Sequence, residues 1–193
     1  MKKQMMIVIV IILVIAVILG IVTLRNNNSN KENVELQDVS QVKSMFNAIY
    51  SKLTGKIPSL EIEEIDISDQ TRVQAYTGLK SNENVEMLVV SEPMMSSQAY
   101  SAVVVKAKNN ADIETMKQEM LDNINTNKWI CVSAGKVYVT SYDNIIFLVM
   151  ADEDWANIVY NEFKNYVNNN VGKELEKNTE ENFELPAEML VTQ

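Results

Sequence analysis

The sharpest boundary between polar and apolar positions in the chain comes after Gln4. Residues 5–24 carry no charged side chain, and fifteen of them are Ile, Leu or Val. Wound as a helix at about 1.5 Å per residue, a stretch of this length reaches about 30 Å, the hydrocarbon thickness of a bilayer. Its insertion is favourable by roughly 5 to 9 kcal/mol on the translocon scale. Lys2 and Lys3 would also suit a cleaved signal peptide, but such peptides have a shorter apolar core and a small-x-small site after it. Ile21-Val22-Thr23-Leu24 offers no such site, and no cysteine lies near it for lipid attachment. The run predicts an uncleaved transmembrane anchor whose partner is the lipid bilayer. Basic flanks stay in the cytoplasm, so residues 1–4 are expected inside and the rest of the chain outside.

Residues 25–33 (Arg-Asn-Asn-Asn-Ser-Asn-Lys-Glu-Asn) have nothing to bury and read as a flexible linker. From Val34, apolar positions recur at Leu36, Val39, Val42, Phe46, Ile49 and Leu53, the spacing of a helix that stops before Gly55 and Pro58. Residues 60–66 alternate weakly, with Leu60, Ile62 and Ile65 against Glu61, Glu63 and Glu64. Ser68 and Asp69 predict the cap of a short helix that reaches Tyr76 and ends at Gly78. Two β-rich segments follow, 85–90 and 99–108, joined across Pro93-Met94-Met95-Ser96-Ser97. An amphipathic helix is then expected over 110–125, capped by Asn110, with Ile113, Met116, Met120, Leu121 and Ile124 on its apolar face.

The same order recurs: a strand over 136–141, a tight turn at Tyr142-Asp143-Asn144, a strand over 145–150, and a helix from Asp152. That helix is expected to bury Trp155, Val159, Phe163 and Tyr166 or Val167. Two consecutive β-β-α units predict an α+β domain over residues 34–169, an antiparallel four-stranded sheet with helices packed on one face. The second strand of each unit is the more apolar and belongs at the centre. Residues 170–193 are rich in Glu and read as an acidic, mobile tail, or over 171–177 as an extension of the last helix.

Several of these segments carry a resemblance. Glu92-Pro93-Met94-Met95-Ser96-Ser97, Val104-Val105-Lys106-Ala107-Lys108, Ala111-Asp112-Ile113-Glu114, Lys128-Trp129-Ile130-Cys131-Val132 and Leu148-Val149-Met150-Ala151 resemble an uncharacterised family of extracytoplasmic domains from clostridia and related Gram-positive bacteria. The resemblance covers roughly residues 36–168 and rests mostly on strand-and-turn pattern. It implies secretion and attachment at the outer side of a bacterial plasma membrane. Many members resemble lipoproteins with a lipidated cysteine, whereas this chain has an apolar run instead. No activity and no catalytic residues follow from it.

Composition narrows the chemistry. Without Lys2 and Lys3, the 17 basic residues become 15 against 26 acidic ones, so everything after residue 24 carries a net charge of −11. Such a surface repels phosphate backbones, and no nucleic-acid partner is expected. The chain contains no histidine, which removes Ser-His-Asp and Cys-His catalysis and imidazole metal sites together. Cys131 is the single cysteine, so no intrachain disulfide exists, and its neighbours Trp129, Ile130 and Val132 suggest a small buried side chain.

The acids give little sign of a site. Asp152-Glu153-Asp154 stands where a helix starts and is expected to cap it. Glu61, Glu63, Glu64, Asp66 and Asp69 lack the spacing of a calcium loop and read as a solvated face. No catalytic residue, metal ligand or cofactor is assigned. A carboxylate pair acting on wall glycan is the weakest alternative, because 26 acids make some pair inevitable. Tyr100, Trp129, Tyr138, Tyr142 and Trp155 could stack on sugar rings or anchor a protein interface; Trp155 fits a core position better, on the apolar face of its helix, whereas Tyr142 falls in a turn and is the better candidate for exposure. Pro93, Met94, Met95 and Tyr142 are therefore the expected partner contacts, the two thioethers being adaptable surfaces. The expectation is a non-enzymatic, membrane-anchored domain at the bacterial cell surface that acts through contacts with an extracytoplasmic protein or as an assembly component. A binding module for wall polymer or a small ligand is the alternative.

Overall fold

A computed structural model of the chain describes residues 34–179. The expected residues 1–4, anchor 5–24, linker 25–33 and the last part of the tail, 180–193, lie outside the described residues. Among those described, no helix is long and apolar enough to cross a membrane.

The described chain is an α+β domain. In order, its elements are α1 (Val39–Lys52), β1 (Leu60–Glu64), α2 (Gln70–Thr77), β2 (Val85–Pro93), β3 (Tyr100–Ala107), α3 (Ile113–Asn123), β4 (Lys136–Tyr142), β5 (Ile145–Ala151), α4 (Glu153–Tyr166) and β6 (Leu175–Asn178). One sheet runs β1-β2-β3-β5-β4-β6, and every neighbouring pair is antiparallel. Both expected hairpins are present, and β3 pairs with β5 at the centre, Val104 opposite Phe147. The sheet has six strands rather than four. Leu60–Glu64 adds to the outer side of β2 and Leu175–Asn178 to the outer side of β4.

Local chemistry sets the helix ends. Asp38 begins α1 with a capping box: its carboxylate accepts from Gln41 N over 2.9 Å, and the Gln41 side chain accepts from Asp38 N. The helix thus starts at Val39 and leaves Leu36 buried ahead of it. Asp69 caps α2 as expected, and Gly78 ends it at φ +78°. Its neighbour α3 is capped by Asp112 and not Asn110, because residues 108–111 close a turn, Ala111 N donating to Lys108 O. Asp152 caps α4 by accepting from Trp155 N over 2.9 Å. This helix stops where Asn168 and Asn169 take φ of 56° and 57°. The chain turns back there, so residues 171–177 do not extend the helix and instead lead into β6.

The helices pack on both faces of the sheet, not on one. Val90, Val103, Val105, Val137, Val139 and Leu148 meet α3 through Met116 and Met120. On the other face Phe147 stacks on Phe163 of α4, ring centroids 4.0 Å apart, and Phe46 of α1 closes on it at 6.5 Å. Topology explains the division. The β3-α3-β4 and β5-α4-β6 connections each cross one strand toward the same edge of the sheet, but β3 and β5 run in opposite directions. Crossovers of a single hand must then place α3 and α4 on opposite faces.

Candidate functional site

The two ends of the sheet differ. Where β2 starts and β3 finishes, Lys106 Nζ donates to the Gln37 carbonyl over 3.1 Å and pairs with Glu86 at 2.8 Å. The chain enters the domain at this end. Pro93, Tyr100, Lys136 and Ala151 mark the opposite end, six residues away along β3, or about 20 Å at 3.4 Å per residue.

Two loops meet at that far end. One follows β2 and carries Met94 and Met95, which are 74% and 61% exposed. The other runs between α3 and β4; its neck closes where Ala134 N donates to Thr126 O over 2.9 Å. Its tip holds Ile130, 65% exposed, with Cys131 and Val132 also at the surface. Ile130 N donates to Ser96 O over 3.1 Å and fastens the tip of the second loop to the first. Among the described residues, four large apolar side chains thus stand exposed at this end, and the other large apolar side chains are at least partly covered.

A cleft of about 220 Å³ lies beside them, lined by Glu61, Glu63, Tyr76, Val90, Glu92, Pro93 and Met94. Register brings Glu61 opposite Glu92. Arg72 holds Glu63 through both carboxylate oxygens at 3.0 and 3.1 Å and stands 5.7 Å from the Tyr76 ring centre. Lys128 pairs with Glu92, reaches Ser101 Oγ at 3.3 Å, and lies 4.9 Å from the Tyr76 ring and 5.3 Å from that of Trp129. Burial lowers the Lys128 pKa from the ordinary lysine value, and the Glu92 carboxylate opposes that shift. The cleft is therefore suited to recognising charge. Among the described residues no three carboxylates or thiols converge as metal ligands.

Of the expected contact residues, Met94 and Met95 are exposed and Pro93 is half-buried beside them. Tyr142 is not with them. It is 6% exposed at the other end of the sheet, because its place in β4 puts it on the same face as Tyr138 and Thr140, under α4. Only Asp143, at φ 50°, and Asn144 form the turn. Cys131 reverses the expectation in the other sense: it is exposed, at φ 61°, since the loop neck puts its apolar neighbourhood outside the core. Trp129 alone of that run packs inward.

The other aromatic side chains are structural. Tyr100 is fully buried and shares a 3.0 Å hydrogen bond with Tyr50. Tyr138 stacks on Tyr160 at 4.4 Å and donates to Asn157. Trp155 is half-buried, with Ala156 and Tyr160 taking the core positions of α4. Sequence reasoning missed Ile130 and Val132. Their signal was the flanking of a four-residue apolar run by Asn125-Thr126-Asn127 and Ser133-Ala134-Gly135, turn-forming residues on both sides that isolate it from any strand. No protein-family model matches the chain, and neither a curated protein nor a solved structure does.

Proposed function

We propose that this chain is a membrane-anchored, extracytoplasmic and non-enzymatic domain at the bacterial cell surface that binds another extracytoplasmic protein through its loop end. The observation that carries this is the grouping of Met94, Met95, Ile130 and Val132 at one end, held by the Ile130 to Ser96 hydrogen bond. Exposed aliphatic and thioether side chains grouped in this way fit the core of a protein interface better than a polar ligand. They also lie at the end opposite the point where the chain enters the domain. An anchor at residues 5–24 would confine the domain to the membrane surface and raise its effective concentration beside membrane-bound partners.

A photo-crosslinking residue placed at Met94 or Ile130 in intact cells tests this. A defined protein adduct from either site, absent when the probe replaces the exposed Asp143 at the other end, is the expected result. No adduct, or the same adduct from Asp143, overturns it. The cleft beside Tyr76 supports a second reading, a module for wall polymer or a small cationic ligand. Retention on isolated wall, lost on Tyr76→Ala, would favour it.

A further inference from the structure

We propose that the outer edge of β1 takes an additional strand, an extended segment of another polypeptide with Lys or Arg at alternate positions. The edge is open. Ile65 N donates to Leu88 O over 2.9 Å, so in this antiparallel ladder Glu63 and Glu61 also turn their backbone groups toward β2. Leu60, Ile62 and Glu64 turn theirs outward. Among the described residues no acceptor meets the N–H of Ile62 or of Glu64. Unpaired backbone groups in a row are a template for a further strand.

Charge selects the occupant. Glu61 stands opposite Glu92, and both line the cleft beside Tyr76 with Glu63. Glu64, on the opposite face by alternation, lines a second cleft with Asp66 and Glu86. Arg72, Lys128 and Lys106 pair with Glu63, Glu92 and Glu86, but among the described residues Glu61, Glu64 and Asp66 form no ion pair. An added strand sends its side chains alternately to the same two faces and meets uncompensated carboxylates on each. Basic side chains satisfy them, whereas the β1 edge of a second copy would set carboxylate against carboxylate. The cleft of about 220 Å³ leaves room for one such side chain beside Glu61.

The opposite edge of the sheet lacks this selectivity. β6 has four residues, and Lys136, Glu176 and Lys177 put both signs beside it. The inference also stands apart from the loop end, since it needs no contact at Met94 or Ile130.

The full chain in uncharged detergent is titrated with a short synthetic peptide that alternates Lys and Val. Binding is expected to slow amide exchange at Ile62 and Glu64, the two donors that gain partners. The same peptide with every backbone amide N-methylated keeps its charge but cannot pair as a strand, and is expected to bind at least about tenfold more weakly. Glu61→Gln combined with Glu64→Gln should weaken the unmodified peptide about tenfold, and Asp143→Asn, at a turn of the hairpin β4-β5, should leave it unchanged. Glu61 and Glu64 are exposed, so the double variant keeps its fold, which circular dichroism verifies. Absence of binding overturns the proposal, and so does equal binding of the N-methylated peptide, which would make the attraction one of charge alone. Equal affinity of the double variant, or binding that leaves exchange at Ile62 and Glu64 unchanged, places the peptide elsewhere and overturns it too.

Discussion

Lys117 Nζ, on a side chain with no exposed surface, donates to the carbonyl oxygen of Lys173 over 2.7 Å. It also pairs with Glu114 at 2.6 Å and reaches Ser141 Oγ at 3.5 Å. A buried ammonium thereby ties α3 to the segment that leads into β6. Lys117→Ala leaves both a cavity and unpaired oxygens, and is expected to cost about 2–4 kcal/mol. Lys117→Met keeps the volume and should cost less than about 2 kcal/mol. Urea unfolding measures both, and an alanine variant within experimental error of wild type would remove this tie from the fold.

Gly78 and Gly55 form a matched pair. Both have positive φ, +78° and +77°, but a Cβ on Gly78 would sit 2.8 Å from Ile124 N, whereas Gly55 has nothing within 4 Å. Gly55→Ala is expected to cost about 1 kcal/mol, the price of a left-handed backbone without a clash. Gly78→Ala should cost about 2–4 kcal/mol, because the ends of α2 and α3 must part. Thermal unfolding of the two variants gives the difference directly, and equal losses would mean that the close approach carries no energy.

Phe147 and Phe163 stack nearly parallel, at 6°, and carry much of the contact between β5 and α4. Phe163→Ala is expected to destabilise the domain by about 3–5 kcal/mol, and Phe163→Leu by less. Because α4 covers only one face, amide exchange should quicken first in α1 and α4. Equal loss of protection in α3 would show that the two faces do not open separately.

Glu174 accepts from Tyr160 OH at 2.7 Å and from Lys164 Nζ at 3.0 Å. The Tyr160 hydrogen bond, followed by Lys164, holds its carboxyl below the ordinary value of 4.5. A carboxylate with a lowered folded pKa adds stability that is fully present above the unfolded value and is lost as pH falls through the folded one. Stability should therefore decline below about pH 4.5. Tyr160→Phe should move the Glu174 midpoint upward in a carboxyl-carbon NMR titration; an unmoved midpoint would place the cause elsewhere.

Met94→Ser and Ile130→Ser should each change unfolding free energy by less than about 0.5 kcal/mol, since both side chains are mostly exposed. A large loss from either would make the loop end part of the core and not a surface.

The elements that could be read in advance were those whose chemistry is local. Asp69, Asp152 and Gly78 do what their types do at helix ends. The run Ile145–Ala151 is apolar at every position and lies fully buried between β3 and β4. Leu175–Asn178 has only one apolar residue, and nothing within it marks a strand; it is one because β4 has a free edge and Lys117 holds the approach. Met94 and Met95 were legible as candidate contacts from the Pro93 loop, whereas Ile130 joins them only through the neck at Ala134 and the bond to Ser96.

By itself, the sequence determined the apolar face of α1 and α3, the two ends of α2, the start of α4, and that two β-β-α units follow one another, since these depend on neighbours within a few residues. Tertiary structure alone decided that β1 and β6 complete the sheet, that α3 and α4 take opposite faces, and that Tyr142 is buried while Cys131 is not. Those outcomes depend on pairing between segments far apart in the chain and on the hand of the crossovers, and no short stretch of sequence carries either.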